Sequence, residues 1–235
     1  EGVSLPPKYE DISFELHAGE VFCLVGTEGS GREAILRTVF GLERPASGTV
    51  RIHGREVRQF SARHGVEKGV GYVPRERKVE GIVGGMNVYE NMTLSQMKRY
   101  ATGGVLRIGE ERALAQQWID RLAIKTPSVF KDCGGLSGGN QQKVVLAKWR
   151  SGGSQIFLLD HPTRGLDIGA KEDVYDMIRE ISASGAGIIL VADTLEEAIG
   201  LSHTILVLKD GHAQRLFHGR PGDKPSLFDL VHYMT

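Results

Sequence analysis

The chain has 235 residues, 40% of them hydrophobic and 25% charged, with 29 basic and 29 acidic side chains. That balance leaves no global field of the kind that draws a nucleic acid or an anionic lipid surface, and no apolar run is long enough for a transmembrane helix. Cys23 and Cys133 stand alone, without a disulfide framework or metal-ligand spacing, which fits a reducing compartment; no two of the eight histidines sit at the spacing of a zinc site.

Taken in order, the alternation of Ile12, Phe14 and Leu16 and the apolar run 21–25 predict two strands joined at Ala18-Gly19. A glycine-rich loop follows, then a helix over 31–40 ended by Gly41. Residues 49–52 and 70–73 read as strands, the second stopped by Pro74. From 87 to 123 the pattern is helical, and 144–149 continue an apolar helix behind Ser137-Gly138-Gly139. Beyond it come strand 156–160, helix 170–184, strand 187–191, helix 195–201 and strand 205–208. Strands alternating with helices call for parallel pairing with right-handed crossovers, hence a three-layer α/β core. The early strands predict a small antiparallel subdomain, and residues 87–150 a helical one. Arg75, Arg77 and Lys78 read as a solvated basic loop.

Three stretches carry chemistry. Gly26-Thr27-Glu28-Gly29-Ser30-Gly31 lies between a buried strand and a helix, the setting in which backbone N–H groups cradle phosphates; a plain glycine turn is the alternative. The phosphate-loop template continues Lys then Ser or Thr, and this chain continues Arg32-Glu33. Arginine keeps the charge as a bulky fork, whereas glutamate sets a carboxylate where a Mg²⁺-binding hydroxyl belongs. Ser30 and Glu33 also match a capping box, which would satisfy the helix's own donors in competition with phosphate. Ser137, Gly138, Gly139, Asn140 and Gln141 open the second helix with an exposed glycine face, suited to a phosphate or to an ordinary cap. Asp160 ends an apolar strand, the place for a carboxylate that orients hydrated Mg²⁺.

In this order the loop, the glycine signature and the Asp160 strand resemble the nucleotide-binding domain of ABC transporters, with its P-loop NTPase core. The stretches 69–74, 77–81, 90–92, 136–148 and 162–171 are similar to the C-terminal ATP-binding half of bacterial sugar-import ATPases of the ribose, galactose and xylose type. Arg32 and Asn140 suit that subgroup. The resemblance implies one ABC domain over 1–235, part of a two-domain chain, a reading that fits the start at Glu1 without Met or a visible signal peptide. It implies ATP and Mg²⁺ as ligands and an N-terminal ABC half as partner, with Ser137 to Gln141 serving that half's ATP. A membrane permease would be contacted near residues 75–91, and a periplasmic or extracellular sugar-binding protein would act indirectly. The location implied is the cytoplasmic face of the membrane. Nucleic acid is not an expected partner, because no heptads or basic stripe interrupt the domain.

Against that family His161 stands at the catalytic glutamate position, Asp193 at the switch histidine and Arg75 at the Q-loop glutamine. An imidazole beside a triphosphate favours its protonated form and is then no base. A hydrogen bond between His161 and Asp193 is expected, as structure or as a dyad. Tyr9 is the nearest aromatic for stacking on adenine, although it can equally be core.

Overall fold

A computed structural model describes residues 1–219 and 224–235. In chain order the elements are β1 (Val3–Leu5), β2 (Tyr9–Ile12), β3 (Val21–Gly26), α1 (Arg32–Phe40), β4 (Arg51–Ile52), β5 (Arg55–Glu56), α2 (Ala62–Glu67) and β6 (Val70–Val73). A single π-helical turn, Arg77–Gly81, leads to α3 (Val88–Thr93), α4 (Met97–Tyr100), β7 (Ala101–Thr102), β8 (Val105–Leu106), α5 (Ile108–Arg121) and α6 (Gly138–Ser151). The last third comprises β9 (Ile156–Asp160), α7 (Ile168–Ala183), β10 (Gly187–Val191), α8 (Leu195–Leu201), β11 (Thr204–Lys209), β12 (His212–His218) and α9 (Leu227–Met234).

The main sheet has six strands in the order β12-β11-β3-β10-β9-β6, parallel throughout except for β12, which runs antiparallel on β11. Strands β3, β6 and β10 are buried along their whole length, which is why each is a continuous apolar run. Phe40 of α1 stacks on Tyr72 at 5.3 Å and meets Trp149 of α6 edge-on at 6.0 Å, joining both helices to the β6 edge. The expected antiparallel layer is two small ribbons, β1-β2 and β4-β5.

Two expectations need correction. Residues 12–16 do not form a strand beyond Ile12; Phe14 stacks on Phe22 at 4.7 Å, so its apolar face is used for packing without ladder pairing. The helical stretch 87–123 is interrupted by the β7-β8 hairpin, whose Gly103 and Gly104 take φ of 58° and 82°, values open to glycine at little cost. Among the described residues no helix is long and apolar enough to cross a membrane.

Candidate functional site

Strand β3 delivers the chain to Gly26 at the sheet's carboxyl edge, and the loop turns there into α1. Thr27, Glu28 and Gly29 are exposed, and Gly29 (φ 85°) has open space where a side chain would stand. Gly31 caps the helix with φ 91°, and a Cβ on it would run into the Lys8 carbonyl oxygen, so only glycine fits. This is a strand-turn-helix with a bare backbone face, the form a phosphate requires.

The capping box over residues 30–33 does not form. Because Gly31 is the cap, Glu33 stands at the second helical position and cannot reach back; no side chain caps the helix. Glu33 instead accepts from Arg32 Nε at 3.1 Å, and Ser30 Oγ is buried without a partner. The two side chains that replace the template's Lys and hydroxyl are therefore spent on each other. Arg75 Nη1 lies 4.0 Å from Glu28, which brings the third departing position to the rim of the loop. Tyr9 is core: it is 1% exposed, and its hydroxyl lies 2.7 Å from Thr38 Oγ1, so it offers no stacking face.

Asp160 closes β9 and is buried. Its Oδ2 accepts from the Tyr72 hydroxyl at 3.0 Å, and its Oδ1 from His161 Nδ1 at 2.8 Å. Burial first, then the Asp160 charge, pushes the Tyr72 phenol well above its ordinary value, so the phenol stays a donor. His161 has φ 49°, an unusual backbone for a non-glycine residue, and its N–H donates to Val191 O at 2.8 Å. That turn aims the ring at Asp160 and leaves Nε2 as its free nitrogen.

The expected bond between His161 and Asp193 is absent. Asp193 Oδ2 accepts from Thr163 Oγ1 at 3.1 Å, and its backbone N–H donates to Glu197 at 3.2 Å. Glu197 is a hub that no sequence motif announced: it also accepts from Thr163 (2.8 Å), Lys171 (2.9 Å) and Tyr175 (2.6 Å). Burial pushes its carboxyl up, but the bonds from Tyr175, Lys171 and Thr163 outweigh that and hold it below the usual range. The one sequence trace of it is the cap Thr194, whose Oγ1 accepts from the Glu197 N–H.

Mg²⁺ demands near-octahedral oxygen ligation and is usually held by one or two carboxylates plus phosphates. Here Asp160 is engaged at both oxygens, Glu33 is held by Arg32, and among the described residues no cluster of His, Cys, Asp or Glu is suited to a metal. This loop fits a phosphate and does not fit the metal.

Ser137 caps α6 from an extended conformation and is exposed. Its Oγ accepts from Asn140 Nδ2 at 2.8 Å, while Asn140 Oδ1 accepts from the Lys125 N–H at 2.8 Å. Gln141 turns inward, its Nε2 donating to Leu136 O at 3.1 Å and Gly134 O at 3.2 Å, which fixes the approach to the helix. The glycine face is narrower than expected, because Arg77 lies against Gly138 and Ala170 against Gly139. Among the described residues no hydrogen bond or ion pair joins residues 26–33 to residues 137–141, so the chain carries two separate glycine-built helix N-termini.

A mainly parallel sheet with a glycine loop at its carboxyl edge, together with a second glycine-built helix N-terminus on α6, defines an ATP-binding cassette of the P-loop NTPase class. The chain belongs to the ABC transporter family, whose model matches residues 9–164. It is 37% identical, over 90% of its length, to a ribose import ATP-binding protein RbsA of Jannaschia sp.. Over a similar share it is 41% identical to an arabinose import ATP-binding protein AraG 2 of Burkholderia ambifaria. It spans 41% of the length of each of these relatives. A dimeric ATP-binding cassette solved in a post-hydrolysis state with ADP and Pi superposes with a TM-score of 0.78 at 22% identity, covering 91% of both chains.

Proposed function

We propose that this chain is one cassette of a sugar-import ATPase. Its intact signature, Ser137 to Gln141, serves ATP held by a second cassette, while its own loop, Gly26 to Glu33, binds nucleotide without supporting hydrolysis. The observation that carries this asymmetry is the contrast between the two sites: Ser137 is exposed at the head of a 14-residue helix, whereas Asp160 at the end of β9 is engaged by Tyr72 and His161, and Glu33 by Arg32. The second cassette is the N-terminal half of the same polypeptide, a reading supported by relatives more than twice as long.

ATP binding closes the two halves head to tail, and hydrolysis at the competent site reopens them. The motion passes to a membrane permease that moves a monosaccharide or polyol delivered by a periplasmic or extracellular binding protein. The relatives named for ribose and arabinose import support that substrate class, and on this reading the cassette works at the cytoplasmic face of the membrane. Asp160, His161, Asp193 and Arg75 then act as a conformational frame, and the cassette alone turns over little or no ATP. A second reading, a pseudo-ATPase acting only as an allosteric partner, is favoured by the Arg32–Glu33 pair; turnover of the intact polypeptide after loss of this signature separates the two. Ser137→Ala in the intact polypeptide is expected to abolish ATP hydrolysis, and Arg32→Ala to change it little. The reverse result overturns the asymmetry, and full activity of Ser137→Ala favours the pseudo-ATPase.

A further inference from the structure

The π-helical turn places Arg77 against the signature. Its Nη1 donates to the Arg164 carbonyl at 2.8 Å, and its Nη2 lies so close to Gly138 that a Cβ there would stand 2.6 Å away. The glycine leaves the room the guanidinium occupies. Nε is buried and has no acceptor, so the two-donor edge formed by Nε and Nη2 is unused within the chain.

Glu76 attracts this cation but forms no ion pair with it. Glu76, its neighbour, pairs with Arg164 at 3.3 Å, and Glu80 pairs with Arg37 at 3.4 Å; among the described residues Arg77 has no ion pair. It stands instead at the N-terminus of α6, the positive end of the helix dipole, where a cation is repelled and an anion favoured. Burial also holds its guanidinium below the ordinary value. A desolvated arginine with an orphaned donor edge at a positive helix end is poorly stabilised in the free chain, and an anion on that face would satisfy all three deficits. The planar fork matches phosphate oxygens in two-point contact, which a lysine could not reproduce.

We infer that Arg77 is a phosphate-contacting arm of the signature site, which turns its free edge from Gly138 onto the terminal phosphate of the ATP presented by the partner cassette. This rests on the reading of the signature given above. A guanidinium on the terminal phosphate adds a contact that ADP, lacking that phosphate, does not offer.

The test uses the intact polypeptide assembled with its permease, measuring KM for ATP, the affinities for ATP and ADP separately, and the melting temperature. Loss of a charge-assisted hydrogen bond predicts a roughly 10- to 100-fold weaker grip on ATP in Arg77→Ala. ADP affinity should be unchanged, and Arg77→Lys should recover only part of the loss. Equal losses for ATP and ADP, or no loss for either, overturn the inference. If Arg77→Ala does not fold, Arg77→Met keeps the apolar stem and is judged by the same criterion. Ser137→Ala measured alongside separates the two failures: if it abolishes turnover while Arg77→Ala leaves ATP affinity intact, only Arg77 is misassigned, and if it too has no effect, the signature reading falls.

Discussion

Lys148 is an amine in the wrong solvent. It lies on the inward face of α6, is 7% exposed, and makes one hydrogen bond, from Nζ to the Gly81 carbonyl at 2.5 Å, beside the Trp149 ring. Burial pushes its ammonium down to about 8 from 10.5, opposed by Cys133. Below pH 8 the amine is protonated folded and unfolded alike, and the folded state carries the full penalty of about 3 kcal/mol. As pH rises through 8 toward 10.5 the folded form sheds its proton first, the unfolded state binds more protons, and stability rises. Lys148→Met removes the charge but leaves the Gly81 carbonyl unpaired at about 1–2 kcal/mol. The net expectation is a gain of about 1–2 kcal/mol at pH 7, or roughly 2–8 °C in melting temperature, turning into a loss of about 1 kcal/mol at pH 10. Urea melts of both proteins from pH 6.5 to 10.5 measure this, the trend being read below pH 9, where Cys133, a thiol pushed up to about 11, stays mostly protonated in both states. A variant destabilised by the same amount at every pH would refute the reasoning.

Three further outcomes follow from the site. Tyr72→Phe keeps the stack on Phe40 but deletes the bond to Asp160, so a loss of about 1–3 kcal/mol is expected in chemical denaturation; Mg²⁺-dependent nucleotide binding should also appear, because one carboxylate oxygen is freed, and titration with and without EDTA checks it. Glu197→Ala strands Thr163, Lys171 and Tyr175 and should cost about 3–5 kcal/mol at neutral pH by thermal melting. Since the Glu197 carboxyl is held below its unfolded value, its contribution is present above about pH 4.5 and lost as pH falls through the folded pKa, so wild type and variant should converge in acid. Glu33→Thr removes the carboxylate from the first turn of α1 and releases Arg32; ATP affinity of the cassette by calorimetry should rise about tenfold, and an unchanged affinity would show that the Arg32–Glu33 pair is irrelevant to binding.

What the sequence revealed divides along local and non-local lines. The strands at 70–73 and 187–191 and the helix at 195–201 were legible to the residue, because apolar runs bounded by Pro74 or Gly187, and a helix opened by the Thr194 cap, leave little choice. Strand β12 was not, since His212–His218 lies at the sheet edge, mostly exposed, and carries no apolar alternation. The same holds at the site. The glycine loop and the signature are contiguous motifs and could be read directly. The failure of the capping box turned on the left-handed backbone of Gly31, and the turning of His161 away from Asp193 on its own positive φ, neither of which a residue type states. Tyr72 meets Asp160, and Arg77 meets Arg164, across 88 and 87 positions of chain, so their roles arise only once the sheet is assembled.

Strand β3 holds the first glycine loop, yet both of its neighbours in the sheet belong to the last third of the chain: Val21 pairs with Ile188, and Cys23 with Ile205. The first of these separations is 167 residues, the difference between 188 and 21. At synthesis rates of about 5–20 residues per second, the phosphate-loop strand waits roughly 8–33 s on the ribosome before a partner exists. During that interval its fully apolar sequence is an unpaired edge, open to aggregation and to chaperones. Any truncation upstream of β10 leaves the loop without a platform, so nascent-chain quality control and nucleotide binding are gated by the same late event, the arrival of the chain's carboxyl third.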